Sequence, residues 1–203
     1  MSKLSVGIVN YGVGNLTSVR HCLQDLDFRC RVSDDTAVLA GCDLLLLPGV
    51  GAFPLAMKAL QVRGLDRFLI EQSAEGRPLL GICLGMQLLT DASHEGGLTR
   101  GLGLIPGEVV SLGQGRWHIG WNTVEKVSAS PLFDLDGSES FYFNHSYVYC
   151  GADEYQLCRT AFDGDFASVI GSGKTVGMQF HPEKSQLSGH RLLQQIVRRL
   201  CDA

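Results

Sequence analysis

Gly81-Ile82-Cys83-Leu84-Gly85-Met86 is the stretch on which the reading of this chain turns. Residues 79–82, Leu-Leu-Gly-Ile, are apolar or small and read as the end of a buried strand. Residues 84–89, Leu-Gly-Met-Gln-Leu-Leu, read as the start of a helix. Cys83 stands at the corner, with one glycine two residues before it and another two after. That is the layout of a nucleophile elbow, with sulfur in place of the usual serine oxygen. A sharp strand-to-helix turn pushes the side chain out of the sheet, and the flanking glycines let backbone pass close on either side. A helix N-terminus favours a thiolate and offers N–H groups to a developing oxyanion. On these residues alone the competing reading is a core cysteine packed as a small hydrophobe.

The pattern around the elbow places it in a sheet. Residues 4–9 read as a strand, 15–26 as a helix and 28–32 as a second strand. Asp43 is followed by four leucines, 44–47, closed by Pro48-Gly49. Such a run fits a strand buried on both faces, as in a parallel sheet. A helical region follows over 54–74, broken near Gly64. This alternation predicts an α/β fold with an open, doubly wound sheet flanked by helices. In the second half, residues 103–112, 117–127, 140–150, 155–162, 166–170 and 175–180 all carry strand patterns. Asp136-Gly137, Asp163-Gly164 and Ser172-Gly173 separate some of them and favour antiparallel pairing, so the sheet is expected to be mixed. A last amphipathic helix covers 189–201. No repeat, low-complexity tract or linker is visible, and residues 1–203 are expected to form one domain.

The totals exclude several classes. With 203 residues, 45% hydrophobic and 19% charged, the chain has an ordinary globular composition. Its net charge of -4 supplies no basic field, so neither nucleic acid nor a membrane is expected as a partner. Met1-Ser2-Lys3-Leu4 leads straight into a strand pattern, without the apolar core of a signal peptide. No stretch reaches the length of a membrane span. Seven cysteines (22, 30, 42, 83, 150, 158 and 201) are odd in number and widely spaced, which predicts reduced thiols and a cytoplasmic location. No CxxC pair occurs, so no metal is expected.

Three tempting motifs fail on context. Gly171-Ser172-Gly173-Lys174-Thr175 resembles the tail of a phosphate loop, but the required earlier glycine is Ser168 and a strand pattern follows where a helix must open. Gly12-Val13-Gly14 follows a strand as in a dinucleotide fold, yet Thr17 stands at the third glycine position. His181-Pro182-Glu183 contains the His-x-Glu of zinc deaminases without the downstream cysteine pair. No cofactor is expected.

What survives is a set of strand ends. A cysteine nucleophile needs a base, and the base needs an orienting acceptor. Residues 175–180 read as a buried strand that stops at His181-Pro182-Glu183. Reactive groups in open α/β sheets gather beyond the carboxyl ends of strands, where Cys83 and His181 both fall. Pro182 predicts an extended exit, in which Glu183, two residues on, points the same way as His181. Pro48-Gly49-Val50-Gly51 follows a third buried strand. Its glycines allow a peptide N–H to turn toward a ligand, making an oxyanion hole with the N–H of Leu84.

Pro48-Gly49-Val50-Gly51, Gly81-Ile82-Cys83-Leu84-Gly85-Met86-Gln87 and Gln179-Phe180-His181-Pro182-Glu183-Lys184-Ser185 together resemble the class I (triad) glutamine amidotransferases. Asn10-Tyr11-Gly12-Val13-Gly14-Asn15, His118-Ile119-Gly120-Trp121-Asn122 and Phe141-Tyr142-Phe143-Asn144-His145-Ser146-Tyr147 narrow the resemblance, within that family, to the glutaminase subunits of imidazole glycerol phosphate synthases. It covers the chain from about residue 5 to the last helix. Two positions depart from that pattern: Trp117 stands where proline is usual, and Asn144 where a branched apolar residue is usual.

The resemblance implies that Cys83 attacks the side-chain amide of glutamine while His181, oriented by Glu183, moves the proton. It implies that Gln87 and the backbone of His145-Ser146-Tyr147 hold the amino and carboxylate ends of glutamine. His118 and His145 are expected to shape the site without transferring protons. The implied partner is a (β/α)8-barrel cyclase, joined in a heterodimer, that uses the ammonia to make imidazole glycerol phosphate in histidine biosynthesis. Asn10, Asn15, Trp121, Tyr142 and Lys184 are the candidates for the partner-facing side. Three rivals stand beside this expectation: a paralogous glutaminase feeding a different amidating synthase, another cysteine hydrolase such as a peptidase, and a non-catalytic interaction subunit.

Overall fold

In the computed structural model, which describes residues 3–113 and 115–202, the leucine run becomes the middle of a large sheet. Met1 and Ser2, expected to lead into the first strand, lie outside the described residues. The first half runs β1 (Ser5–Val9), α1 (Leu16–Asp25), β2 (Arg29–Ser33), α2 (Thr36–Ala40), β3 (Leu44–Gly49), α3 (Phe53–Val62), α4 (Leu65–Ala74), β4 (Leu79–Cys83) and α5 (Leu84–Leu88). The second half adds β5 (Thr90–Ser93), β6 (Thr99–Arg100), β7 (Ile105–Ser111), β8 (His118–Thr123), β9 (Glu125–Lys126), β10 (Ser140–His145), β11 (Tyr147–Cys150), β12 (Gln156–Ala161), β13 (Asp165–Ser172), β14 (Thr175–Met178) and α6 (Gln186–Asp202).

Strand β3 shows why the sheet is wound on both faces. Its side chains alternate in direction. Leu44 and Leu46 pack into one core with Val19 and Leu23 of α1 and with Leu192, Leu193 and Ile196 of α6. Leu45 and Leu47 pack into the opposite core with Leu39 of α2 and with residues of α3, α4 and α5. All four leucines are buried. The main sheet has the order β2-β1-β3-β4-β14-β13-β11-β7-β5-β6, with β12 and β9 paired at its side. Pairing from β2 through β14 is parallel, and β13 joins β14 by an antiparallel hairpin. Strands β8 and β10 form a separate antiparallel pair. The expected mixed, doubly wound sheet is therefore present.

Register decides where the chemistry can sit. Gly49 of β3 lies opposite Cys83 of β4, and Met178 of β14 lies opposite Ile82. Three adjacent parallel strands thus end at the same rim. The segments that leave them, beginning at Val50, Leu84 and Gln179, meet there.

The elbow is backbone packed on backbone. Cys83 has φ 55° and ψ -114°, a left-handed conformation for a side-chain-bearing residue. Such strain costs about 1–3 kcal/mol and persists only where the surroundings over-determine it. A Cβ on Gly81 would stand 2.7 Å from the carbonyl carbon and oxygen of Gly85, and one on Gly49 would stand 2.7 Å from the Gly85 nitrogen. A Cβ on Gly85 would collide with the Leu47 carbonyl. These glycines let β3, β4 and α5 touch.

Several boundaries differ from the sequence pattern, each for a packing reason. The 140–150 strand breaks at Ser146, whose carbonyl accepts from Leu112 N at 2.9 Å, and its two halves join different sheets. The 117–127 strand breaks at buried Val124 into β8 and β9. Helix α6 begins at Gln186, ahead of Gly189, the expected start. Gly189 lies inside the helix, and a Cβ there would collide with the Pro182 carbonyl oxygen, so the glycine serves close packing and does not mark a helix start. Helix α2 and strands β5 and β6 are too short to show a period. The elbow helix α5 has only five residues, so the N–H groups of its first turn matter more than a summed dipole.

Gly85→Ala tests the elbow. The collision is with main chain, which cannot swing aside, so the variant should lose about 3 kcal/mol or more of unfolding free energy in a urea titration. A loss below about 1 kcal/mol would contradict the packing described.

Candidate active site

The three segments line a cleft of about 250 Å³. Cys83 and His181 face it with Val50, Gly51 and Leu84 on one side, and Asn144, His145, Ser146 and Tyr147 on the other. Gln87, Glu95, Trp117 and Lys184 complete the wall. Cys83 is 6% exposed, so its sulfur meets solvent only through this cleft.

His181 is held between two groups. Its Nδ1 lies 2.8 Å from Oε1 of Glu183, and the pair is almost wholly buried. A carboxylate only accepts, so Nδ1 carries a proton and Nε2 is left for the Cys83 sulfur, with which the ring also hydrogen-bonds. Burial works against a charged imidazole here. Hydrogen bonds to Cys83 and Glu183, and their negative charge, outweigh it and raise the His181 pKa to about 10. The second carboxylate oxygen of Glu183 has no hydrogen-bond partner among the described residues, so the group is directed at the imidazole.

The route that brings Glu183 to the ring differs from the expected extended exit. His181 itself is extended, but Pro182–Lys184 forms a 3-10 turn with proline at its start. Ser185 fastens that turn: its hydroxyl donates to the His181 carbonyl at 2.6 Å and accepts from Tyr142 N at 2.9 Å. The His181 N–H donates to the Tyr142 carbonyl at 2.9 Å. The histidine is therefore tied to β10 as well as to β14.

The Pro48-Gly49-Val50-Gly51 segment lies beside the nucleophile. Tyr11 donates to the Pro48 carbonyl at 2.8 Å and fixes the start of the segment. Gly51 has φ 96° with nothing within 4 Å of its missing Cβ, and Val50 is half-exposed, so the segment is fixed at one end and open at the other. Opposite, Gln87 donates to the Tyr147 carbonyl at 3.0 Å and lines the cleft.

The remaining candidates divide. Trp121 packs edge-on against Tyr142 at 6.2 Å, and Lys184 lies over the Tyr142 ring at 5.7 Å. Asn10 leaves β1 at the rim where β3 and β4 end, and its side chain accepts from Gly12 N at 3.3 Å. Asn15 caps α1 by accepting from Ser18 N at 3.3 Å. Trp117 and Asn144, the two departures from the expected pattern, bond to each other: the indole N–H donates to Asn144 Oδ1 at 2.8 Å, and both line the cleft. Glu95 has no counterpart in the sequence reading. It follows β5, a strand that the pattern does not reveal, and its carboxylate accepts from Phe53 N at 2.8 Å. His94 pairs with Glu108 at 2.7 Å on the surface.

Cysteine environments differ sharply. Burial pushes the thiols of Cys22 and Cys158 up to about 12, so both remain protonated packing residues. No cysteine is in a disulfide among the described residues. His118 and His145 are buried among Phe143, Phe162 and Phe166. Burial lowers both pKa values, that of His145 to about 3, so neither ring carries charge at neutral pH.

A cysteine elbow, a carboxylate-held histidine and an open glycine segment thus meet at one sheet rim. The chain belongs to the class-I glutamine amidotransferases, whose family model matches residues 8–200. A protein of Symbiobacterium thermophilum is 47% identical over 96% of this chain and 94% of its own length. One of Geobacillus is 43% identical over 93% and 94%. Both are named imidazole glycerol phosphate synthase subunit HisH, and within the class this chain belongs to that family. Solved structures agree on the fold. A glutamine amidotransferase superposes with TM-score 0.78 at 21% identity, covering 98% of this chain and 99% of the other. Another, from Thermotoga maritima, gives 0.74 at 17% with both chains fully covered.

The histidines set a pH prediction. Below about 6.5 the unfolded chain takes up protons that native His118 and His145 refuse, so stability falls as pH drops toward 3. Above 6.5 native His181 keeps a proton that the unfolded chain releases, so stability also falls as pH rises toward 10. In His145→Asn the loss of urea-unfolding free energy between pH 7 and pH 4 should shrink by at least about 1 kcal/mol. An unchanged loss would contradict the assignment of a neutral buried ring.

Proposed function

We propose that residues 1–203 act as one glutaminase domain in which Cys83, His181 and Glu183 hydrolyse glutamine. The observation that carries this reading is the His181 ring, held by Glu183 on one nitrogen and hydrogen-bonded to Cys83. Cys83 sulfur, its proton already held by His181, attacks the glutamine side-chain carbonyl. The tetrahedral oxyanion is met by the N–H of Leu84 and by one from the Gly49-Val50-Gly51 segment, each worth about 3 kcal/mol of barrier. The C–N bond then breaks, His181 gives its proton to the departing nitrogen, and a glutamyl thioester remains. Water, deprotonated by His181, attacks the thioester and releases glutamate.

The cleft also fits the amino-acid end of glutamine. Glu95 supplies a carboxylate for the ammonium group. Gln87 and the backbone of His145, Ser146 and Tyr147 supply polar contacts for the rest. The open glycine segment also supports low activity in the isolated chain, with the oxyanion N–H turned into place only in the complex.

Ammonia is mostly protonated at neutral pH, so the product is useful only if a synthase receives it directly. The reading that fits the family is a (β/α)8-barrel cyclase, docked as a heterodimer in the cytoplasm, which uses the ammonia to make imidazole glycerol phosphate. Trp117, Ile119 and Trp121 support a docking face here. Ile119 and Trp121 alternate along β8 and Trp117 directly precedes it; all three are at least half-exposed, beside Tyr142 and Lys184 at the mouth of the cleft. No described helix is long and apolar enough to cross a membrane. A paralogue serving another synthase is not favoured, because relatives at 39–47% identity carry one name.

A complex of Cys83→Ala with the cyclase should form product from ammonium salts but not from glutamine. Glu183→Gln should lower glutamine-dependent kcat by about 10²–10⁴-fold. Undiminished glutamine turnover by Cys83→Ala would sink the mechanism.

A further inference from the structure

The cleft wall carries a run of hydrogen bonds whose direction can be read atom by atom. The Tyr147 carbonyl, which only accepts, lies 3.0 Å from Nδ1 of His145 and 3.0 Å from Nε2 of Gln87. His145 therefore carries its proton on Nδ1. Its neutral ring leaves Nε2 to accept, so Nδ1 of His118, 3.1 Å away, must donate. Nε2 of His118 then accepts from Nδ2 of Asn122 at 3.3 Å, and that nitrogen is itself aimed by the Ala161 carbonyl at 2.9 Å. Two carbonyls, one at each end, impose the same polarity on this branch.

The other branch leads to the nucleophile. Nε2 of Gln87, turned toward the Tyr147 carbonyl, also donates to Oε1 of Gln179 at 3.0 Å. Nε2 of Gln179 is thereby turned toward Cys83 Sγ, 3.9 Å away. Gln179 is fully buried. A flip of its amide would set its NH₂ against the NH₂ of Gln87, leaving two buried donors facing each other.

We propose that Gln179 is a positioning residue for the nucleophile: its amide N–H, aimed by Gln87 and the Tyr147 carbonyl, donates to the Cys83 sulfur and favours the thiolate that faces His181. This rests on Cys83 being the nucleophile, as proposed above. A donor gains strength when its acceptor becomes charged, so the contact favours loss of the thiol proton to His181. The charged and titratable groups facing Cys83 are His181 with Glu183 behind it, Tyr11 beyond β1, His145 on β10, and Glu95 and Lys184 on the cleft wall. Gln179→Met leaves all of these in place and removes the donor to sulfur together with the Oε1 that accepts from Gln87.

The test uses the full chain. Alkylation of Cys83 by iodoacetamide is followed on its own peptide by mass spectrometry, from about pH 5 to pH 10. In Gln179→Met the midpoint should rise by about one pH unit, and in Gln179→Glu by more. With the cyclase bound, kcat for glutamine should fall about tenfold in Gln179→Met, with a smaller change in KM. A cooperatively melting Gln179→Met whose profile overlays that of the unmodified chain would overturn the proposal. Should both variants fail to fold, the side-chain amide signal of Gln179 in the unmodified protein decides. It should shift with the Cys83 alkylation midpoint, and a flat signal would overturn the proposal. Cys83→Ala keeps the two ideas apart. Loss of glutaminase activity in that variant beside an unshifted Gln179→Met profile removes the role of Gln179 and leaves the triad intact.

Discussion

The contact of Gly85 with the Leu47 carbonyl and with Gly81 is the constraint on which the rest of this structure depends. It brings main chain of β3, β4 and α5 closer than side chains would allow. That closeness turns the chain at Cys83 into a left-handed conformation that the residue would not adopt alone. It also sets the end of β3 directly beside the nucleophile, with Gly49 opposite Cys83 in the ladder. A methyl group at Gly85 would move the sulfur and the oxyanion segment together. Packing and chemistry are here one requirement on the same few atoms.

The second requirement is electrostatic. His181 and Glu183 are both withdrawn from water, which is costly unless each charge finds a partner. Glu183 gives one oxygen to the imidazole, and the imidazole gives its other nitrogen to the thiol. The neighbouring His145 and His118 are neutral by the same burial, because among the described residues no carboxylate bonds to them and a carbonyl and an amide fill their nitrogens. Two kinds of histidine thus occupy one rim. One holds a proton that it can pass on, and the others are fixed donors and acceptors that shape the wall.

Much of this was legible in the residues. The four leucines showed a strand buried on both faces, and the glycine spacing around Cys83 showed the elbow. Strand-end placement joined His181 to it. Other features depend on contacts that no local pattern encodes. Glu95 follows a four-residue strand without visible period, so nothing in the sequence assigned it to the cleft. Glu183 reaches His181 through a 3-10 turn locked by Ser185, a route that alternation along an extended chain does not describe. Trp117 and Asn144 looked like separate departures. They form one hydrogen-bonded pair because β8 and β10 run antiparallel and bring their ends together. Gln179 stood beside a recognisable motif, but its orientation is set by Gln87 and a carbonyl more than thirty residues away.

The central claim is that the sulfur of Cys83 becomes covalently bonded to the glutamyl group during turnover. Rapid acid quenching of the cyclase complex turning over glutamine, followed by peptide mass mapping, tests it most directly. A glutamyl adduct should appear on the Cys83 peptide within the first turnover and disappear as glutamine is exhausted. Steady glutamate release with that peptide unmodified throughout, or with the adduct on another residue, would contradict the account.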